Sequence, residues 1–169
     1  STAGLGTASN FAATISIVTG VDNNKAHLIN TNKAIMTLHA VNYGRNATAE
    51  NVIGIQLDSD DTLLNNAGTI TIEALEANSS GIYMQTYSKD EVLTNSGTIE
   101  IKATTNGQDQ GQGYYASATG IGINLDNFDS APAQYKTALN LESGSTLTIS
   151  ATTTENAEEG AESQAIQLQ

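Results

Sequence analysis

The sequence predicts an all-β fold: a single-stranded parallel β-helix (β-solenoid) of about four coils, each with three strands, carrying long inserted loops. Two observations support this prediction. A short phrase, Asn-Ala-Gly-Thr-Ile-Thr-Ile at residues 66–72, recurs closely at 95–101 and more loosely at 143–149 and 32–38. Two further strand-like elements flank each copy in a fixed order. A turn and an alternating strand that recur along a chain indicate a solenoid, because each copy can stack on the previous one.

The three strand classes define the predicted coils. The element before the phrase is short and ends in Asn, and the element after it alternates apolar and polar residues. One more copy of the last element, at residues 14–17, gives a leading strand. We therefore expect one β-helical unit over 1–169, with coils at 14–169 and an N-terminal cap or linker at 1–13 that encloses Phe11. The elements before the phrase are 28–30, 63–65, 92–95 and 138–140, and those after it are 54–57, 81–84, 122–125 and 165–168.

The alternation within each strand predicts which side chains form the interior. Successive side chains of a strand point to opposite faces, so Ile70 and Ile72 should point inward and Thr71 and Glu73 outward. Asn and Gly at the corners would supply left-handed backbone angles. The predicted outward column is His39, Glu73, Lys102 and Ser150. The predicted inward columns are Met36, Ile70, Ile99 and Leu147; Leu38, Ile72, Ile101 and Ile149; Ala40, Ala74, Ala103 and Ala151; Ile15, Ile55, Ile82, Ile123 and Ile166; and Ile17, Leu57, Met84, Leu125 and Leu168.

Two other architectures fit the sequence less well. An antiparallel sandwich would show tight hairpins, and its strand classes would not recur in fixed order. A helical repeat needs a period of about 3.6 residues, which is present only weakly at 155–165. The uneven spacing of the coils instead predicts loops at 104–118 and 127–136 and an acidic segment at 152–162. Loops on a rigid scaffold are common places for function.

Composition excludes several classes of partner. The chain of 169 residues has 18 acidic and 6 basic residues and a net charge of −12. Nucleic acid and anionic membrane surfaces are therefore not expected partners, since phosphates require clustered Lys and Arg. The chain has no cysteine, which excludes disulfides and thiolate chemistry. No apolar run approaches the roughly 18 residues of a membrane helix. The chain begins without Met and stops within an apolar alternation, so we expect an internal piece of a longer protein.

The best enzyme candidate is a set of carboxylates that follows the third strand class. A polysaccharide hydrolase or lyase could use Asp58, Asp61 and Asp126, since paired carboxylates cleave glycosidic bonds as acid and base. Asp60 and Asp129 lie beside them, and Asn-Leu-Asp at 124–126 resembles one short motif of the pectin-hydrolase family. The rest of that family's pattern is missing. The alternative interpretation is turn-forming Asp at strand ends. We therefore predict no enzyme and no catalytic, cofactor or metal residue.

Other candidate ligands are weaker. An opportunistic calcium site at residues 58–61 lacks the spacing of known calcium loops. His27 and His39 lie in different strand classes and predict no zinc site. Tyr83 should face outward, and Tyr87 lies nearby in sequence. Tyr114 and Tyr115 in the largest loop could anchor a protein or a carbohydrate, or fold back over the helix.

The chain resembles the passenger domains of Gram-negative autotransporters over residues 26–169. The resemblance rests on the Asn-x-Gly-Thr-Ile repeats, on Leu-Glu-Ser-Gly-Ser-Thr-Leu-Thr-Ile at 141–149, on the few Lys and Arg residues and on the absent Cys. It implies a right-handed β-helix, export across the outer membrane, and display on the cell surface or release. It also implies a stalk for adhesion or aggregation, with surface proteins or carbohydrates as partners. A phage tailspike-like polysaccharide-binding segment is an alternative. We expect a monomer or weak end-to-end association, and no direct membrane insertion.

Overall fold

The computed structural model confirms the predicted parallel β-helix. The structure describes residues 11–18, 25–41, 51–59, 61–75, 78–86, 92–105, 117–125, 138–153 and 162–168. This part of the chain contains thirteen strands and no helix. In chain order the strands are β1 Phe11–Val18, β2 Lys25–Asn30, β3 Ile35–Val41, β4 Asn51–Ser59, β5 Asp61–Asn66, β6 Thr69–Leu75, β7 Asn78–Thr86, β8 Leu93–Asn95, β9 Thr98–Thr105, β10 Ser117–Leu125, β11 Leu139–Leu141, β12 Thr146–Thr153 and β13 Glu162–Leu168.

The strands form three sheets in which every neighbouring pair is parallel. Sheet A has the order β1-β4-β7-β10-β13, sheet B the order β11-β8-β5-β2, and sheet C the order β12-β9-β6-β3. The chain therefore visits sheets B, C and A in turn, and each return lies one strand further along. This arrangement confirms one leading strand, β1, and four coils of three strands.

Sheet C confirms the predicted columns in full. Ile70 pairs with Met36 and Ile99, and Ile99 pairs with Leu147, while the Leu38, Ile72, Ile101 and Ile149 column and the alanine column follow in the same register. Ile70 and Ile99 are completely buried, because a coil covers them on each side. The same positions in coils one and four, Met36 and Leu147, are only partly buried. Stacking thus completes the interior, since a coil alone cannot bury its apolar face.

Sheet A corrects the register of coil three by two residues. Ile121 pairs with Ile82 and Ile166, and Ile123 pairs with Met84 and Leu168. The predicted placement of Ile123 opposite Ile82, and of Leu125 opposite Met84, is wrong. A shift of two residues keeps the same side chains inward, so the alternation does not reveal it.

Contacts with sheet C explain this register. A Cβ at Gly81 would lie 2.2 Å from Ile101 Cγ2, and one at Gly120 would lie 2.2 Å from Ile149 Cγ2. Gly54 has the same relation to Ile72. In each of the first three coils, one glycine therefore makes room for the branched methyl group of an isoleucine across the interior. Gly120 takes this position in coil three.

Sheet B corrects the ends of the first strand class. Asn66 pairs with Asn30 and Asn95, so the predicted end at Asn65 lies one residue too early. Leu141 pairs with Asn95, and the predicted terminal Asn140 lies opposite Thr94. The residues equivalent to Asn66 are therefore Asn30 in coil one and Leu141 in coil four, in place of Asn32 and Ser143.

The asparagines form a buried ladder that stabilises the corner between sheets B and C. Asn30 Nδ2 donates to Asn66 Oδ1 at 2.7 Å, and Asn66 Nδ2 donates to Asn95 Oδ1 at 2.7 Å. Asn66 Nδ2 also donates to the carbonyl oxygen of Thr98 at 3.0 Å, and Asn66 Oδ1 accepts from the amide of Gly68 at 3.2 Å. Buried amides of this kind are stabilising only when their partners are present.

A left-handed angle was predicted for the corner glycines; it is present at Gly144 in coil four but not at Gly68 and Gly97 in the middle coils. Within the described residues, a positive φ occurs only at Lys33 and Gly144, in the longer turns of coils one and four. Gly68 and Gly97 are required for a different reason. A Cβ at Gly97 would lie 2.1 Å from the carbonyl oxygen of Gly68, because the stacked corners are in close contact.

The N-terminal boundary differs from the expected one. β1 begins at Phe11 and pairs with β4 from Asn51 onward, so residues 11–13 belong to the first strand rather than to a cap. Residues 1–10 and the predicted loop 127–136 lie outside the described residues. The predicted segments 104–118 and 152–162 are too long, because their ends belong to β9, β10, β12 and β13, and their remaining parts, 106–116 and 154–161, also lie outside the described residues. The cap and the functional role of those loops stay predictions.

Candidate functional site

The predicted carboxylates lie on either side of one corner. Asp58 is near the end of β4 in sheet A, and Asp61 begins β5 in sheet B. Between them the buried Ser59 Oγ donates to the Asp61 carbonyl oxygen at 2.8 Å and accepts from the Ala26 amide at 3.0 Å. Asp60, Asp126 and Asp129 lie outside the described residues. The structure thus places Asp58 and Asp61 on different sheets and does not place Asp126.

Asp61 is held by two basic side chains of β2. Its Oδ2 lies 3.0 Å from Lys25 Nζ, and its Oδ1 lies 3.2 Å from His27 Nε2. Burial alone would raise the pKa of Asp61, but the hydrogen bonds and charges of Lys25 and His27 together outweigh it and lower that pKa. Asp61 is therefore an ionised group that pairs β5 with β2.

Asp58 has the opposite electrostatic character. It points outward from sheet A, in a column with Val18, Gln85 and Asn124. Burial raises the pKa of its carboxyl group. Opposite shifts of two carboxyl pKa values are one feature of an acid and a base that act on the same bond. Asp58 and Asp61 nevertheless lie on different sheets, with the buried Ser59 between them in sequence.

The outward column of sheet C is confirmed as an ion-pair ladder. Glu73 Oε1 lies 2.9 Å from Lys102 Nζ, and Glu73 Oε2 lies 3.1 Å from His39 Nδ1. The hydrogen bond from Lys102 lowers the pKa of Glu73, burial opposes it, and His39 adds to the lowering. Lys102 and His39 are largely exposed, so the ladder is a surface feature of low energy.

A second outward surface, on sheet A, was not predicted as a site. We call it the sheet A polar face. It has two adjacent columns whose half-buried side chains are mostly carboxamides. Its residues are Gln56, Tyr83, Gly122 and Gln167 in the first column and Asp58, Gln85 and Asn124 in the second.

Tyr83 is the one aromatic side chain of this face, and it is held in place from two sides. Its hydroxyl donates to Gln85 Oε1 at 3.2 Å. Its ring leans over Gly122, where a Cβ would lie 3.6 Å from Tyr83 Cδ2. Ser16 Oγ donates to Gln56 Oε1 at 3.0 Å and orients the next amide of the column. The face therefore presents a fixed phenol among oriented amides.

A small depression lies beside Tyr83. It is lined by Tyr83, Gly122, Ile123, Asn124 and Gln167 and has a volume of about 20 Å³. This volume accommodates one water-sized group, provided that polar atoms are there to bind it. The carboxamides of Asn124 and Gln167 supply both donors and acceptors. The depression can thus bind one hydroxyl group next to an aromatic ring.

The sequence carries an ambiguous signal for this surface, namely two glycines in β10. Gly120 and Gly122 both fit the alternation, and only one can lie opposite Gly81. Choosing Gly120 places Gly122 beside Tyr83 and opens the depression. The predicted register instead placed Asn124 beside Tyr83 and hid the site.

The chain matches no protein-family model, and comparisons with curated proteins and with solved structures return no match. The resemblance to autotransporter passenger domains therefore rests on the sequence motifs alone. In the part of the chain that the structure describes, no helix has the length and apolar character needed to cross a membrane. Over those same residues, no three His, Asp or Glu side chains are grouped as metal ligands.

Proposed function

We propose that this chain is a non-enzymatic β-helical stalk, exported across the outer membrane and displayed on the cell surface or released. Its role is adhesion, aggregation or display, and its partners are surface proteins or carbohydrates of host or bacterial cells. It acts as a monomer or through weak end-to-end association. The autotransporter-like motifs support the export route and the location.

The observation that carries this proposal is the stacking of three parallel sheets into columns of outward side chains. Each outward position repeats from strand to strand at about 4.8 Å along the helix axis. Such a surface presents rows of regularly spaced side chains to a large partner. Among the residues placed by the structure, the sheet A polar face is the one patch that combines connected polar groups with an aromatic side chain. Aromatic side chains such as this phenol are enriched at protein interfaces.

Attachment to cells tests the adhesive role. Beads coated with the purified chain should bind bacterial or epithelial cells more strongly than beads coated with a globular protein of the same net charge. Because the control protein has the same net charge, any difference in attachment is not caused by the acidic surface alone. Equal attachment of both kinds of bead to every cell type would contradict an adhesive function.

One alternative function is a carbohydrate-active β-helix that uses Asp58, Asp61 and Asp126. It is favoured by the carboxyl pKa values, since that of Asp58 is raised and that of Asp61 is lowered. The purified chain would then release reducing ends from a polysaccharide, and Asp58→Asn and Asp126→Asn would each abolish that release. The stalk predicts no release from any polysaccharide in a broad panel. Cleavage that both substitutions abolish would replace the stalk with the enzyme.

A further inference from the structure

We infer that the sheet A polar face binds neutral glycans, with Tyr83 as the stacking platform and the depression beside Gly122 as the subsite for one hydroxyl group. This inference rests on the proposed adhesive function and names the chemical class of its partner.

The charge of the face selects against anionic partners. The five strands of sheet A contain no Lys, Arg or His. Their outward carboxylates are Asp58 at one margin and Glu162 at the start of β13. An anionic polymer therefore has no counter-charge here, and the net charge of −12 repels it. A neutral ligand meets neither repulsion nor the cost of removing water from a charge.

The hydrogen-bonding groups match sugar hydroxyls. Asn124 and Gln167 line the depression and each carry an amide donor and a carbonyl acceptor, while the carbonyl oxygens of Gln56 and Gln85 already accept from Ser16 and Tyr83. A hydroxyl group is likewise a donor and an acceptor, so each can pair with a carboxamide in either direction. The depression of about 20 Å³ next to Asn124 and Gln167 has room for one such hydroxyl.

Tyr83 supplies the apolar part of the site. Sugar rings have an apolar face of C–H groups that packs on aromatic rings, and a ring already fixed in place loses little entropy when it binds. The bond to Gln85 and the contact over Gly122 fix this ring. The two columns run along the helix axis, so a linear glycan could lie across successive strands.

Gly122→Ala separates binding from folding. An added Cβ would be in ordinary contact, 3.6 Å from Tyr83 and 3.7 Å from Thr119, so the fold accepts it. Alanine also suits a strand better than glycine does. The methyl group would occupy the floor of the depression and exclude the hydroxyl.

The test uses the full chain against immobilised neutral oligosaccharides, namely cello-, malto-, galacto- and N-acetylglucosamine hexamers, with polygalacturonate and heparin as anionic comparators. We expect saturable binding of at least one neutral hexamer and shifts of the Asn124 and Gln85 side-chain amide resonances on titration. Tyr83→Ala and Gly122→Ala should each lower its affinity about tenfold or more. Thr148→Ala, on the outer surface of sheet C, should leave it unchanged, and thermal unfolding should show all three variants folded.

Several outcomes would overturn the inference: no neutral hexamer bound at millimolar concentration, binding of the anionic polymers only, or binding that neither Tyr83→Ala nor Gly122→Ala weakens. Its failure is distinguishable from failure of the adhesive function. Beads that attach to cells while no glycan binds would leave adhesion standing with another partner. Glycan binding without cell attachment would support the glycan site and contradict adhesion.

Discussion

The middle and end coils have the same pattern of residues but different environments. In sheet C, Ile99 is completely buried, whereas Leu147 of coil four is only partly buried in the same column. At the other end, Met36 of coil one is also only partly buried in this column. The corners differ too, since the middle coils turn through Ala67-Gly68 and Ser96-Gly97 and the end coils use longer turns. The burial of a residue is therefore set by the number of neighbouring coils, as expected for a linear repeat.

The largest test of this comparison uses one residue type at two places in one column. Ile101→Ala should destabilise the chain by about 4 kcal/mol, because it leaves a cavity covered by coils on both sides. Ile149→Ala, in coil four, should cost about 2 kcal/mol, because the site is already partly open to water. Urea unfolding of the two variants measures both values. Equal losses would mean that the end coils are as closed as the middle ones.

The next test concerns two glycines of sheet A. Gly81→Ala should cost about 3 kcal/mol, because the new Cβ would lie 2.2 Å from Ile101 Cγ2 and 2.7 Å from the Gly120 carbonyl oxygen. Gly122→Ala is the matched control on the outer surface and should be neutral or slightly stabilising. The double variant Gly81→Ala, Ile101→Val should not recover stability, since valine keeps a branched methyl at Cβ. Recovery would place the clash elsewhere on the Ile101 side chain.

These same contacts show how far the sequence alone determines the structure. The alternation of Thr and Ile in sheet C predicts every inward column, because a strand with one polar face has one stable orientation. In β10 the residues Gly120, Ile121, Gly122 and Ile123 satisfy that rule in two registers. The choice between them depends on Ile149 across the interior, which is a contact between distant segments. The Tyr83 depression depends on the same choice, so it could not be predicted before the register was known.

The sequence pattern also could not predict which asparagines form the buried ladder. The adjacent Asn65 and Asn66 both fit a corner, and only pairing with Asn30 and Asn95 distinguishes them. Gly68 and Gly97 were predicted correctly as corner residues but for the wrong physical reason, whereas Gly144 has the predicted left-handed angle. Space between stacked corners, rather than a left-handed angle, excludes a side chain at Gly97.

The asparagine ladder allows a test with a smaller expected effect of the difference between the middle and the end coils. Asn66→Ala should cost about 2 kcal/mol, since it leaves the buried Gly68 amide without its side-chain acceptor and removes the links to Asn30 and Asn95. Leu141→Asn should extend the ladder into coil four and stabilise it by about 0.5 kcal/mol, because Asn95 gains an acceptor above it. Thermal unfolding measures both changes. A destabilising Leu141→Asn would show that the longer turn of coil four holds that position out of line with Asn95.

The smallest expected effect is electrostatic and lies on the outer surface of sheet C. The folded-state pKa of Glu73 is depressed below its ordinary value of 4.5. A depressed acid contributes stability above its unfolded pKa and loses that contribution as pH falls through the folded pKa. Glu73→Gln should therefore cost under about 1 kcal/mol near pH 7, with the loss reduced by high salt, and almost nothing once the pH lies below the folded-state pKa of Glu73. Glu100→Gln is the matched control, since Glu100 lies between Thr71 and Thr148 in the neighbouring outward column. Urea unfolding of both variants across this pH range measures the difference. A loss for Glu73→Gln that does not shrink as the pH falls below 4.5 would show that its contribution comes from packing of the side-chain stem on the sheet rather than from the ion pair with Lys102.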